Sequence, residues 1–197
     1  MTLTMRHLLL IGVIALGLGG CAVRPAVRPI PAAGPAEYYY MVGLNQPVNV
    51  PSVMARCAPP TGWKMEPLKH SEKHDHQVWL SPTGKTAYGV IHFTLPLPVG
   101  VGIVHWEFLQ QMKKQEGDAI ESMRQNDPSL PGMRFIVEGG RYKMRANLIV
   151  RGFDGWVTYA GTNRGEEPIP AELELAEKAR ENTLIGLSDV AVETASH

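Results

Sequence analysis

The chain has 197 residues, with 19 Lys and Arg against 19 Asp and Glu, and 44% of its residues are hydrophobic. This length and apolar content suit one globular domain with a core, and they exclude a chain that is disordered throughout. The charge balance argues against a nucleic-acid partner, because proteins that bind nucleic acids normally carry a basic excess. Two cysteines are too few for a scaffold that depends on several disulfides.

The first 20 residues have the pattern of a secretory signal peptide. Arg6 precedes an apolar run over residues 8–18, and small residues follow that run. The run is too short to span a membrane, which needs about 20 apolar residues. We therefore predict that residues 1–20 are removed from the mature protein, and a short N-terminal anchor helix is the alternative.

The segment Leu18-Gly19-Gly20-Cys21 resembles the lipobox of bacterial lipoproteins. The resemblance implies that the Cys21 thiol takes a diacylglycerol, that a peptidase cuts before it, and that the new amine is acylated with a chain such as palmitate. Several acyl chains anchor a protein stably, since each buried CH₂ contributes about 0.8 kcal/mol and one chain alone is marginal. Ala22, by resemblance to enterobacterial sorting rules, favours the outer membrane, with the domain facing the periplasm.

Residues 22–36 form a proline-rich tether, which cannot make a packed core and favours extended conformations. The folded domain is predicted for residues 37–187, and residues 188–197 form a weakly patterned tail. If Cys21 carries lipid, Cys57 has no partner for an intramolecular disulfide. Cys57 is then either a buried small apolar residue or a reactive thiol, as a nucleophile or in an intermolecular disulfide.

Turn residues and apolar periodicity predict a set of strands before the first long helix. The aromatic segment 38–44 favours a strand. Segments 77–80 and 86–95 form a hairpin around residues 81–85, where Pro and Gly supply the turn. Both faces of the second hairpin strand are largely apolar, which predicts a central position in the sheet.

The rest of the domain is predicted as helix, three-stranded meander and helix. The first helix runs from about His105 to Asn126, and its apolar face comprises Trp106, Leu109, Met112, Ile120 and Met123. The meander and the last helix are predicted over residues 133–138, 141–151, 156–163 and 170–187. The fold class is therefore α+β, a mainly antiparallel sheet with two major helices.

The segment Pro59-Pro60-Thr61-Gly62-Trp63 matches a Pro-x-Gly-Trp entry into a sheet. With the order of elements over most of residues 50–187, it resembles the α-β-α sandwich of the PsbP-like proteins. That family also includes the Ran-binding Mog proteins and several bacterial envelope lipoproteins. The resemblance implies a domain that binds partners or stabilises complexes, and it transfers no catalytic set and no cofactor to this chain.

Two segments are candidate binding sites. Segment 95–104 is apolar, and it is either a buried connection or an interaction site, since exposed apolar patches tend to mark partners. Its candidate binding residues are Leu97, Val99, Val101 and Ile103. The second candidate is a row of cations on the middle meander strand that either protects a sheet edge or contacts an anionic lipid head or peptidoglycan. The row comprises Arg141, Lys143 and Arg145.

The best candidate for metal binding is a histidine cluster in which His70 and His74 are four residues apart and would share a face of a helix, while His76 adds a third imidazole. The cluster comprises His70, His74 and His76, and a polar loop is the alternative. His92, within an apolar strand, is typical of a core histidine with satisfied hydrogen bonds. We expect no metal, no cofactor and no enzymatic activity. The function predicted is a membrane-anchored envelope lipoprotein that binds an unidentified envelope protein. The alternative is a metal-binding or hydrolytic envelope protein that uses the histidine cluster or Cys57.

Overall fold

The computed structural model describes residues 36–116, 121–125, 132–139, 142–162, 167 and 169–186. Within these ranges the chain has the predicted α+β class, with mostly antiparallel sheet. The predicted lipidation site at Cys21, the tether up to residue 35 and the tail 188–197 lie outside the described residues.

Three helices and eleven strands make up the described part of the chain. The helices are α1 (Ala36–Met41), α2 (Val101–Glu116) and α3 (Pro170–Glu181), and a 3₁₀ turn spans Pro51–Val53. The strands are β1 (Val48–Val50), β2 (Ala55–Cys57), β3 (Lys64–Met65), β4 (Lys69–His70), β5 (His74–Leu80), β6 (Thr86–Thr94), β7 (Glu121–Gln125), β8 (Met133–Gly139), β9 (Tyr142–Arg151), β10 (Asp154–Thr162) and β11 (Leu184–Ile185).

Eight strands form the main sheet, in the order β3, β5, β6, β10, β9, β8, β7, with β4 also paired to β5. The predicted hairpin is confirmed, because β5 and β6 pair antiparallel and Gly84 takes a positive φ in the turn between them. Strand β6 lies between β5 and β10, which confirms its predicted central position. The predicted meander is confirmed as β8, β9 and β10. A second, small sheet contains β1, β2 and β11.

Buried side chains form two clusters, one on each face of the main sheet. Successive strand residues point to opposite faces, so the central strands β6, β9 and β10 contribute to both clusters. On the face that we call the α3 face, the cluster includes Tyr88, Val90, Ile149, Trp156, Ala176 and Ala179, with residues of the small sheet. On the opposite face, which we call the α2 face, it includes Phe93, Val104, Met112, Phe135, Leu148 and Val157.

The prediction of a strand over residues 38–44 is wrong, because residues Ala36–Met41 form helix α1. Tyr39 packs into the α3-face cluster, while Tyr40 is exposed to solvent. Gly43, with φ +78, follows the last turn of the helix, a position where glycine commonly ends helices. The burial of the Tyr39 ring therefore outweighs the β propensity of the three tyrosines.

The helix predicted over residues 105–126 is wrong at both ends. Helix α2 begins at Val101 and ends at Glu116, and residues Glu121–Gln125 form an edge strand that pairs with β8. Gly117 follows the helix in the sequence, and glycine is a weak helix former. Edge pairing then satisfies backbone groups that the sequence pattern assigned to a helix. Met123 is exposed on this strand instead of lying on a helical core face.

The last helix is shorter than its predicted span of 170–187. It ends at Glu181, with Asn182 as its C-cap, and its N-terminal Pro170 is at the predicted position. Leu184–Ile185 then form β11, which pairs with β2 in the small sheet. Residues Leu184–Ile185, predicted as the end of the helix, form a strand because they pair with the edge of β2.

Candidate functional site

The apolar segment 95–104 is divided between the core and the surface. Leu95 and Val104 are buried, and Val99 and Val101 pack against the α2-face cluster. The interpretation as a buried connection therefore holds for these four residues. Their burial fixes the path of the chain from the end of β6 to the start of α2.

Four large apolar side chains around this segment are about half exposed or more. Leu97 and Ile103, two of the predicted binding residues, are 48% and 60% exposed, and Trp106 and Phe153 are 59% and 54% exposed. We call Leu97, Ile103, Trp106 and Phe153 the apolar surface. Within segment 95–104, only Leu97 and Ile103 of the four predicted binding residues are therefore exposed as a surface, because Val99 and Val101 pack against the core.

A backbone contact places Phe153 where β6 ends and β10 begins. The carbonyl oxygen of Phe153, in the turn between β9 and β10, accepts a hydrogen bond from the Leu95 N–H at 2.6 Å. Ile103 and Trp106 lie three residues apart on α2, so they are neighbours on the helix surface. The start of α2 is held against the same end of the sheet, because Val101 and Leu95 belong to one packed cluster.

Trp106 is exposed because the residues that α2 buries differ from the predicted apolar face. The sequence places Trp106 on a core face with Leu109 and Met112, but the neighbouring His105 is buried instead. The His105 ring packs edge-on against Phe135 at 4.6 Å, and its Nε2 lies 3.3 Å from the Ser122 Oγ. Burial lowers the pKa of His105. The charge of Arg124, 3.4 Å from Nδ1, lowers the same pKa further.

The predicted row of cations does not lie on a sheet edge. Strand β9 pairs with both β8 and β10, so the interpretation as edge protection is wrong. Lys143 and Arg145 are exposed on the α3 face, and Arg141 lies outside the described residues. The Nη1 of Arg145 donates to the Oε2 of Glu177 on α3 at 2.8 Å and lies 2.7 Å from the Oε1 of the same carboxylate.

The three histidines of the predicted metal cluster do not converge. They lie on β4 and β5, and strand alternation separates them. His70 pairs through Nδ1 with the Asp75 Oδ1 at 2.5 Å, while the Nδ1 of His74 hydrogen-bonds with the Ser71 Oγ at 2.8 Å. In the described ranges, no group of three or more His, Cys, Asp or Glu side chains is placed to hold a metal ion.

His76 is buried and bonds with Tyr159, through Nε2 and the phenol oxygen, at 2.8 Å. Burial lowers the pKa of His76 to about 3, and the charges of Lys69 and His74 act in the same direction. The Tyr159 ring crosses Gly89 to make this contact, since a Cβ on Gly89 would lie 2.5 Å from that ring. His76 is therefore a neutral core residue at neutral pH.

His92 fits the prediction of a satisfied core histidine. Its side chain is 13% exposed, and its Nε2 lies 2.9 Å from the Asp154 Oδ1. Its ring packs on Trp156 with 5.2 Å between centroids. The histidine is thus held by a carboxylate and an aromatic ring at the end of β6.

Cys57 is fully buried on the α3 face. Burial raises the pKa of its thiol to about 12, although a hydrogen bond with Tyr88 lowers it. The Tyr88 hydroxyl also bonds with the Thr183 Oγ1 at 2.5 Å, and Thr183 donates to the Ala179 carbonyl oxygen at 2.9 Å. A protonated, buried thiol is a poor nucleophile, so the geometry favours the structural interpretation of Cys57.

No model of a known protein family matches the chain, and no curated protein matches it significantly. Across the described ranges, no helix has both the length and the apolar character needed to cross a membrane.

Proposed function

We propose that this protein is a lipid-anchored envelope protein whose α+β domain binds another envelope protein through the apolar surface. Cys21 carries the anchor, residues 22–35 form the tether, and the domain faces the periplasm from the outer membrane. The domain acts as a binding module without a catalytic set. The observation that carries the binding function is the exposure of Leu97, Ile103, Trp106 and Phe153 at one end of the main sheet.

Exposed apolar area is favourable to bury, at roughly 25 cal/mol per Å². Each member of the apolar surface leaves much of such an area in water, and exposed apolar patches tend to mark interaction sites. Tryptophan is enriched among the residues that dominate binding energy, which makes Trp106 the central candidate. Leu95 and Val104 pack beneath the surface, so a partner would not have to order it on binding.

The same proposal includes a PsbP-like sandwich as the finer description of the fold. Its support is the presence of a helix on each face of the main sheet and the local geometry of the Pro59–Trp63 segment. Gly62 has φ +78, a conformation that favours glycine. Trp63 is buried, and its backbone N–H donates to the Pro60 carbonyl oxygen at 3.2 Å. Members of that family mostly bind partners, in agreement with the proposed role.

The alternative function, metal binding or hydrolysis, has less support. The histidines at 70, 74 and 76 bond to three different groups, and Cys57 is buried with a raised pKa. Metal analysis of the purified protein tests this alternative directly. Stoichiometric zinc or copper, lost when His74 and His76 are replaced by Ala, would overturn the proposed binding module.

The anchor is tested by replacing Cys21 with serine. Cys21→Ser should abolish incorporation of labelled fatty acid and leave an uncleaved precursor, because an alcohol is not the acceptor in this chemistry. Labelling, gel mobility and mass of the purified protein measure both effects. Wild-type protein recovered in the soluble fraction without the mass of an acyl chain would contradict the anchor.

The binding surface is tested by Ile103→Asp and Trp106→Asp, read by co-purification from membranes and by thermal unfolding. Both side chains are exposed, so the charge should change the free energy of unfolding by no more than about 0.5 kcal/mol. We expect loss of the co-purified partner in both variants. Val101→Asp, by contrast, should destabilise the domain, because Val101 packs against the core and an unpaired buried charge is costly.

Met65→Asp is the matched control for these two variants. Met65 is 59% exposed on β3, at an edge strand of the main sheet, and it lies outside the apolar surface. The variant should keep the partner. If Ile103→Asp and Trp106→Asp remain folded and also keep the partner, the apolar surface is not the binding site.

A further inference from the structure

Three arginines from distant parts of the sequence meet between α3 and the strands β8 and β9. Arg134 is on β8, Arg145 is on β9, and Arg180 lies in the last turn of α3. In the antiparallel register, Arg134 lies opposite Asn147 and Arg145 lies opposite Ile136. Both arginines therefore project from the same face of the sheet, which is the α3 face. We call Arg134, Arg145 and Arg180 the arginine cluster.

The fold places these three arginines beside one another: Arg134 lies diagonal to Arg145 in the register, and Arg145 pairs with Glu177, one helical turn before Arg180 on α3. Burial lowers the pKa of Arg180, and the charges of Arg134 and Arg145 lower it further. The carboxylates of Glu181 and Glu177 act in the opposite direction. Like charges held this close in a partly buried site require compensation.

The carboxylates that the structure describes compensate the cluster only in part. Glu177 pairs with Arg145 at 2.7 Å, and Glu181 pairs with Arg180 at 3.3 Å. Within the described ranges, no carboxylate is paired with Arg134. On the same face, Lys143 lies opposite Glu138 in the register, so that pair adds no net charge. Three guanidinium groups thus face two carboxylates.

Buried donors in the cluster also lack hydrogen-bond partners. Among the described residues, the Nε atoms of Arg134 and Arg180 are buried without an acceptor. The side chain of Arg180 is 6% exposed, so water does not satisfy it readily. Two buried acceptors beside the cluster, the Oδ1 of Asn147 opposite Arg134 and the Oε1 of Glu177, are also without a hydrogen-bond partner. If the Asn147 amide is turned by 180°, its N–H₂ group replaces that oxygen as a further donor.

We propose that the arginine cluster binds an oxyanion of the phosphate class, either free phosphate or the phosphate of a lipid headgroup. Guanidinium groups present planar pairs of N–H donors that match phosphate oxygens, and their hydrogen bonds to such anions are strong. Arg145 is 48% exposed and gives a ligand access from solvent. Arg134 and Arg180 lie behind it with the unpartnered donors, and the anion supplies both the missing acceptors and the missing negative charge.

Inorganic phosphate, added to the purified full-length chain at constant ionic strength, is the first probe. We expect saturable binding by calorimetry and a rise in the melting temperature that chloride does not reproduce. Arg134→Met and Arg180→Met should each weaken binding about tenfold or more, because each removes a charged donor. Lys85→Met is the matched control, since it removes one exposed positive charge from the β5–β6 turn, outside the arginine cluster, and should leave phosphate binding unchanged.

Arg145→Gln keeps the test decisive if the buried variants fail to fold. Arg145 is half exposed, so this variant should fold and still lose most of the phosphate affinity. Equal affinity in wild type and Arg145→Gln, or a wild type that does not distinguish phosphate from chloride, would overturn the proposal. Saturation with acetate at the same affinity as phosphate would also overturn it in favour of a carboxylate site.

Vesicles separate the two sources of phosphate. The wild type and Arg145→Gln are compared on vesicles of phosphatidylcholine with and without phosphatidylglycerol, so that any apolar anchoring is common to both chains. A difference that depends on phosphatidylglycerol and is competed by free phosphate supports the lipid headgroup. Equal vesicle binding with unequal phosphate binding supports free phosphate. If both comparisons give no difference, the cluster has no phosphate site.

Discussion

On the α3 face of the main sheet, directional hydrogen bonds hold the covering elements, whereas the α2 face is closed mainly by apolar and aromatic packing. Adjacent residues of β10 illustrate the difference. Trp156, on the α3 face, donates from Nε1 to the Val53 carbonyl oxygen at 3.1 Å. Gly155, on the α2 face, has no side chain, and the ring of Phe93 occupies the space above it.

This difference bears on where a partner can bind. Hydrogen bonds with fixed partners determine one position for α3, since a buried donor that loses its partner costs about 1–3 kcal/mol. Apolar packing holds α2 through the residues on one side of the helix, and this packing does not require the residues on the opposite side to be buried. Ile103 and Trp106 therefore remain exposed on α2 without disturbing the core. The face with fewer directional contacts is the one that carries the proposed binding surface.

The strongest test of the packing on the α2 face is Gly155→Ala. The new Cβ would overlap the Phe93 ring, which is 4% exposed and has little room to move. We expect a loss of about 3 kcal/mol in the free energy of unfolding, at the upper end for overpacked cores. Gly102→Ala on α2 is the control, because nothing lies within 4 Å of its Cβ position and alanine favours a helix. Chemical denaturation measures both. Equal stability of Gly155→Ala and the wild type would contradict this account of the α2 face.

A smaller loss is expected for Trp156→Phe on the α3 face. The substitution removes the Nε1–H donor, leaves the Val53 carbonyl oxygen without that partner, and opens a small cavity. We expect a loss of about 2 kcal/mol by chemical denaturation. Trp106→Phe makes the same chemical change at an exposed site and should alter stability by less than about 0.5 kcal/mol. Similar losses in the two variants would show that the hydrogen bond to Val53 does not hold this face.

Local patterns were sufficient to predict much of the sheet. The β5–β6 hairpin and the meander follow from turn residues and from alternation along the strands, which are short-range properties. The identities of α1 and β7 depend on tertiary contacts instead: the burial of Tyr39 and the pairing of Glu121–Gln125 with β8. Sequence periodicity carries no information about which strand edge lies nearby.

The candidate sites were predictable to a smaller extent. Leu97 and Ile103 could be selected from an apolar run, but Trp106 could not, because periodicity alone favours burial of Trp106 over His105. Phe153 joins the surface through the path of the β9–β10 turn, which is a property of the fold. Arginines 134, 145 and 180 are likewise assembled from three elements, so their cluster has no signature in the sequence.

Glu172, in the first turn of α3, gives the smallest expected effect. Its carboxylate accepts hydrogen bonds from Thr83 at 2.8 and 2.9 Å and from Thr86 at 3.0 Å, which join α3 to the β5–β6 hairpin. Burial raises the pKa of Glu172, but hydrogen bonds from Thr83, Ser81 and Thr86 outweigh it, and the net pKa lies below the ordinary 4.5. Glu172→Gln should cost less than about 1 kcal/mol at neutral pH, because the site is partly exposed.

The pH dependence of this loss follows from the direction of the pKa shift. A carboxyl group with a lowered pKa in the folded state binds its proton more readily when unfolded, so its contribution is fully present above pH 4.5. The contribution is lost as the pH falls from there through the lowered pKa. The difference in stability between wild type and Glu172→Gln, measured by denaturation from pH 7 to pH 2, should therefore be constant at first and shrink below pH 4.5. In a Thr83→Val, Thr86→Val background the difference should be smaller at every pH, because the donors that lower the pKa are gone. A difference that stays constant down to pH 2 would rule out this carboxylate as a charged link between α3 and the hairpin.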